Sequence, residues 1–532
     1  MKKNSIKIYV LAGLLSISAV SCKKDLNLLP TNDITAATVY TTAMGYKQSL
    51  AKVYGSYALT GNKGPAGDDV TKDIQGIDEG TSDFYRLYWQ AQELPTDEAV
   101  IAWGDAGLPD FHNLNWSSSN QFLKGLYYRS IYQITLCNDF IRESSDDKIA
   151  SRGFTGDDAT NIRYYRAEAR FLRAYQYWVL MDLFANPPFI IETDALGGAS
   201  PKQTNRKDLF NYIESELKDL DGSLVLARQN EYGRADKAAA YALLARLYLN
   251  ANVYTGTPRY NDAATYAKKV IDAGYSLVPQ YKNLMVADNN TNTNEFILTI
   301  NYDGVRTQGY GGTTFLLHAS IGGTESAGAR GADGGWAGLR TTKNLVNMFP
   351  DANGTADKRS QFYTSGQSLE IANISEFTNG YAVTKYRNLK ADGSAPSNLT
   401  FADIDVPLFR LGEMYLIYAE AVLRGATTGD NAMALGYINA LRARAYGNNS
   451  GAITNSNLTL DFILDERARE LYWEGFRRTD LIRYDRLVTG AYLWPWKGGV
   501  QNGRASDANH NIYPLPSTDL AANANLKQNP GY

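Results

Sequence analysis

Lys237-Ala-Ala-Ala-Tyr-Ala-Leu-Leu-Ala-Arg-Leu-Tyr248, a turn carrying Gly256 and Pro258, and then Tyr260-Asn-Asp-Ala-Ala-Thr-Tyr-Ala-Lys268 decide the fold. Alanines recur where two helices would cross, and a tyrosine stands near each helix end. That spacing matches the tetratricopeptide pattern, in which a helix pair cannot bury its apolar face alone and stacks on its neighbours. Small residues at the crossings let the backbones approach closely. The pattern predicts helices over 236–252 and 259–273.

Outward from this pair the same signals recur. Helical spacing marks 36–59 (Val39, Met44, Leu50, Val53, Tyr57), 119–143, 160–184 and 206–220. The 160–184 helix stops before Asn186-Pro187-Pro188. A second pair is expected over 406–424 and 430–445. Two blocks break the rhythm. Residues 60–118 are rich in Gly, Asp and Trp without a sustained period, and 275–400 are Gly-rich around one strand-like run, Glu295-Phe-Ile-Leu-Thr-Ile300. The expected class is therefore mainly α: a tetratricopeptide-like helical repeat scaffold with two loop-rich inserted blocks. Loops on a rigid frame are where binding usually lives, so these blocks are expected to carry the ligand face.

The N-terminus has its own grammar. Lys2, Lys3 and Lys7 precede an apolar run from Ile8 to Val20, and small or apolar Ala19, Val20 and Ser21 precede Cys22. A basic head, a short apolar core and small residues before a cut site form a secretory signal peptide. The run is too short to span a bilayer. A small residue directly before Cys resembles the bacterial lipobox, with Ala19 where Leu is more usual. Residues 1–21 are thus expected to be removed, Cys22 to be lipidated, 22–35 to form a tether, and 36–532 to form a single domain. More than one acyl chain makes such an anchor stable.

Composition narrows the partners. A net charge of -3 with mixed signs argues against nucleic acid and against a polybasic lipid patch. Of two cysteines, Cys22 is the lipid site, which leaves Cys137 as a small core residue with no disulfide framework. Tyrosine (37) outnumbers phenylalanine (18), and a flat apolar face with a polar tip suits both helix packing and sugar binding.

Catalytic constellations are missing. Three histidines stand apart at 112, 318 and 510, and no metalloprotease, nucleophile-elbow or phosphate-loop motif occurs. A glycosidase needs only two carboxylates, for which Asp78/Glu79 and Asp97/Glu98 are the available pairs. Asp288, Asn290 and Asn292 alternate oxygen-bearing side chains that would suit calcium, although the Gly and distant Glu of an EF-hand are lacking. The charged run 465–478 is expected to be one helix clamped by Asp465–Arg469 and Glu474–Arg478 pairs, with Leu464, Leu471 and Trp473 facing inward.

Several stretches together are specific. They are Ala167-Glu-Ala-Arg-Phe-Leu-Arg-Ala-Tyr175 leading to Leu183-Phe184, and Val406-Pro-Leu-Phe-Arg410-Leu-Gly-Glu413 through Glu420. Further on come Ile463-Leu-Asp-Glu-Arg467, Glu474-Gly-Phe-Arg477, Tyr513-Pro-Leu-Pro516 and Gln528-Asn-Pro-Gly-Tyr532. Along essentially its whole length the chain resembles the SusD/RagB family of outer-membrane nutrient-binding lipoproteins. The resemblance implies a helical, non-enzymatic binder on the cell surface that passes glycan to a SusC-like TonB-dependent transporter. Leu94 to Asp105 and Tyr310 to Gly338 look similar to the starch-binding founder of that family. On that pattern Trp103, Tyr310 and Trp336 would form an aromatic arc following a helical α-glucan, and Asp78 and Arg86 would hold sugar hydroxyls. Tyr302, Trp89 and Trp116 are weaker candidates. Other readings are the same scaffold with a different glycan or a peptide, a glycoside hydrolase, or a pure assembly scaffold.

Overall fold

Side-chain caps open most of the long helices. Asn120, Asn205, Asp236, Asp430 and Thr459 each accept a backbone N–H from the first turn of the helix that follows. The computed structural model describes residues 36–62, 64–65, 72–195 and 197–532. The signal peptide, the tether and the Cys22 lipid site lie outside these residues. No helix among them is long and apolar enough to cross a membrane.

The helices pack in chain order. Gln121–Glu143 lies on Gly156–Phe184, which lies on Arg206–Asp219, and Lys237–Leu249 packs on Tyr260–Ile271. Tyr260–Ile271 then packs directly on Leu411–Leu423, which in turn meets Asn431–Tyr446 and Leu460–Leu471. The stack therefore continues across the long loop block as if that block were absent. Ala238, Ala239, Ala242, Ala245, Ala263, Ala264 and Ala267 are all buried at the crossings, as the small-residue pattern predicts. Cys137 is buried and free.

The structure corrects the start of the second helix pair. Val406–Arg410 is a strand, not the first turn of a helix, and the helix begins at Leu411. The strand pairs antiparallel with Phe296–Ile300, the run that the sequence marks as extended. Pro407 and a fully buried Val/Leu/Phe content favour a strand here over a helix. The pairing zips the loop block shut at its base.

The charged run 465–478 also departs from expectation. Its helix ends at Leu471, and Trp473 takes a left-handed φ of 64°. Beyond that turn, helical spacing no longer relates Glu474 to Arg478. Glu474 instead accepts from Arg410 at 2.7 Å and Lys385 at 2.6 Å, while Arg469 turns to Glu466 at 2.7 Å. Leu464, Leu471 and Trp473 do face inward. Around them lies a buried ionic lattice. Glu470 accepts from Arg410 at 2.7 Å, from Arg359 at 3.3 Å and from Arg444. Glu466 joins Arg359 and Arg442 at 2.8 and 2.9 Å. Arg246 forks onto Glu413 with two bonds of 2.7 Å. The motif residues quoted above thus hold helix to helix.

Candidate functional site: an aromatic face between two loop blocks

A second short ladder joins the two irregular blocks. Val100 pairs with Arg340 and Ile101 with Leu339, and Ala102 N–H donates to the Gly338 carbonyl at 2.9 Å. Just past the Ile101–Leu339 end of this ladder stand Trp103 and Trp336. The ladder sets them side by side: Trp103 Nε1 donates to the Trp336 carbonyl at 3.1 Å, and the ring centroids are 6.4 Å apart. Tyr310 completes the row, 6.2 Å from Trp336 and 5.4 Å from Phe401. All three rings are half-buried, with a flank left to solvent.

Their backing is rigid. Trp336 stacks on His318 at 4.9 Å and 20°. The ring nitrogens of His318 lie 2.7 and 2.9 Å from the carbonyls of Gly334 and Thr400. Trp103 meets Phe315 edge-on at 6.0 Å. The glycines matter through contact rather than through exposure alone. A Cβ on Gly338 would lie 2.6 Å from the Trp103 indole, and one on Gly311 would lie 2.0 Å from Asp83. Gly338→Ala is therefore expected to push the Trp103 ring out of place at a cost of about 1–3 kcal/mol. Near-ultraviolet dichroism and urea unfolding would register it, and unchanged values of both would contradict the packing described.

Arg86 and Asp78 border this face. Arg86 Nη1 donates to the Tyr310 carbonyl at 3.0 Å, and its guanidinium lies 4.5 Å from the Phe315 centroid. Burial lowers its pKa to about 10 against the opposing pull of Asp78, Asp83 and Asp105. Its Nε has no hydrogen-bond partner. Asp78 is exposed, and its Oδ1 accepts from Thr81 N–H and Oγ at 3.1 and 3.2 Å. Asp83, which the sequence reading passed over, is the tie between the blocks. It caps the Phe84–Glu93 helix through Arg86 N–H at 2.8 Å and accepts from Gly312 N–H at 2.8 Å. An Asp three residues before Arg86 at a helix start was the available signal. His318 and Phe401 were missed as well, since nothing local marks a residue that backs a ring from a distant segment.

The remaining candidates go elsewhere. Trp89, Trp116 and Tyr302 are core residues, with Trp89 Nε1 on the Trp473 carbonyl and Trp116 Nε1 on the Tyr532 hydroxyl. Asp97 is buried and takes a bidentate bond from Arg477 at 2.7 and 2.8 Å, so it is a structural carboxylate. Glu98 accepts from Trp473 N–H beside it. Glu79 is buried, and burial first and Asp78 second raise its pKa to about 7. In the expected calcium stretch, Asp288 Oδ1 accepts from Ala391 N–H at 2.8 Å and Asn292 Nδ2 donates to the Asn283 carbonyl at 2.7 Å, while Asn290 is exposed. That is the disposition of a hydrogen-bonded polar turn. No cluster of three His, Cys, Asp or Glu side chains suited to a metal occurs among the described residues.

Comparison with known proteins agrees with this architecture. Residues 358–532 match the SusD family, and residues 92–249 match a family described as starch-binding and associating with the outer membrane. The chain is 36% identical to the starch-binding protein SusD of Bacteroides thetaiotaomicron, over 98% of each chain. The chain belongs to the SusD family. SusD-like protein P2 of Formosa agariphila is 27% identical over 73% of this chain and 78% of its own. Among solved structures, a SusD homologue from B. thetaiotaomicron superposes with a TM-score of 0.72 at 19% identity, covering 93% of this chain and 98% of that one. Surface glycan-binding protein A from B. thetaiotaomicron, solved in complex with laminarihexaose, gives 0.68 at 21% identity, covering 91% and 99%. These last two likenesses concern the fold.

Proposed function

We propose that this SusD-family chain captures starch-like α-glucan on the Trp103–Trp336–Tyr310 face and delivers it to a SusC-like TonB-dependent transporter, without cleaving it. One observation carries the reading. Three rings from two distant loop blocks form one continuous row, each within 6.4 Å of the next, with a buried guanidinium at its border. A sugar ring has an apolar C–H face that an aromatic covers and hydroxyls that a charged group pairs with. A tilted row rather than a flat one favours a curved polymer: the Trp103–Trp336 and Tyr310–Trp336 planes meet at 42° and 55°. The identity to a starch-binding relative supports the same cargo.

In this reading the anchor is a diacylated Cys22 in the outer membrane, with the body facing outward. Affinity per site is modest, because a flexible glycan must be ordered, and tethering beside the transporter raises the effective concentration. A glycan panel on the purified full chain tests the proposal. Retardation by amylopectin and binding of malto-oligosaccharide, with no release of reducing sugar, is the expected result. Binding of a β-glucan or peptide without malto-oligosaccharide would overturn the cargo, and reducing-sugar release would overturn the non-enzymatic reading.

A further inference from the structure

A second cavity, of about 610 Å³, shares no residue with the aromatic face. It opens between segment 279–282, the paired strands Phe362–Tyr363 and Ala382–Val383, and the C-terminal end of the Asn431–Tyr446 helix. Its size is that of a small-ligand site. Six cationic side chains line it, Lys282, Arg330, Lys358, Lys385, Arg387 and Arg444, and no Asp or Glu does. Tyr281 and Phe362 add aromatic wall.

Three of the cations are neutralised from behind. Arg330 meets Glu325 at 3.1 Å, Lys385 meets Glu474 at 2.6 Å, and Arg444 meets Glu295 at 2.9 Å. The other three have no carboxylate within ion-pair distance among the described residues. Lys282 and Lys358 are exposed, the latter with its ammonium on the Gly354 and Thr355 carbonyls at 2.9 and 2.6 Å. Arg387 is half-buried, and its Nη2 is shielded from solvent yet has no hydrogen-bond partner. Buried polar groups are nearly always satisfied, and an arginine fork matches a carboxylate or phosphate in two parallel bonds. An unpaired fork in a carboxylate-free cavity is therefore a group in want of an anion.

We infer that this cavity binds an oxyanion-bearing small ligand, with Arg387 making the principal contact and Lys282 and Lys358 drawing it in. The inference stands independently of the α-glucan proposal.

Calorimetry on the full chain at low salt, with glucuronate, glucose and inorganic phosphate as probes, tests it. Glucuronate or phosphate is expected to bind and glucose not to. Glucuronate alone would identify an acidic sugar as the natural source, and phosphate alone a free inorganic oxyanion. Arg387→Ala is expected to weaken the anion roughly tenfold or more, and Lys282→Ala, at an exposed position, by a smaller factor that added salt removes. Trp336→Ala, on the other face, is expected to leave anion binding intact. If Arg387→Ala does not fold, Lys282→Ala carries the test. Heat from neither anion, equal binding of glucose, or unchanged affinity in the variants would overturn the inference.

Discussion

Trp336→Ala is expected to abolish retardation of the protein in amylopectin gels and to weaken malto-oligosaccharide binding by about 2 kcal/mol, roughly thirtyfold. Trp336 is the middle ring of the row, so its loss separates Trp103 from Tyr310 as well as removing its own stacking surface. The fold is expected to survive. The segment is held by main-chain bonds, Trp336 N–H to the His318 carbonyl at 2.8 Å and Ala337 N–H to the Ile321 carbonyl at 2.9 Å, which alanine retains. Trp103→Ala is expected to act in the same direction. Gel migration unchanged in both variants, with normal unfolding curves, would sink the proposed face.

The second large effect concerns stability. Glu470→Ala leaves Arg359, Arg410 and Arg444 around an empty position inside the protein. Breaking a buried charge pair by removing one partner costs about 3–5 kcal/mol, because the remaining charge stays desolvated. Urea unfolding of the variant measures this, and a change below about 1 kcal/mol, the range of an exposed pair, would show that the lattice is not the clamp described here. The same carboxylate sets a pH dependence. Burial pushes the Glu470 pKa up, but Arg444, Arg410 and Arg359 outweigh it and hold it near 2, below the ordinary 4.5. Glu420 is held near 2 in the same way, burial being opposed by Arg483, Arg424 and Arg467. A depressed folded pKa means that the unfolded chain binds protons first as acid is added. The stabilisation is therefore complete above about pH 4.5 and lost as pH falls toward 2. Unfolding midpoints that stay flat across that window would contradict it.

Much of the frame was legible because helices write a local code. Alanine at 238, 242, 263 and 267 is readable one turn at a time. Strand Val406–Arg410 was not, because its partner Phe296–Ile300 lies at the far end of the long loop block and a short apolar run does not distinguish helix from strand. The ring row was legible only in part. Trp103, Tyr310 and Trp336 could be named from flanking glycines and resemblance, yet their adjacency depends on a two-residue ladder that no local pattern announces. For the same reason Trp89 and Trp116, equally prominent in the sequence, are core. The Glu474–Arg478 spacing misled because one left-handed residue, Trp473, ends the helix between reading frame and partner.

The helix Tyr260–Ile271 docks on Leu411–Leu423 across the entire second loop block. During synthesis the helices before it find neighbours already made, whereas this junction must wait for everything in between. Closing so long a loop is slow relative to local helix pairing. Trp336, inside that span, reaches back to Trp103 in the first loop block. The ligand face is thus itself a long-range feature, made by two segments more distant in the chain than any neighbouring helix pair, and it forms after the local pairs rather than with them.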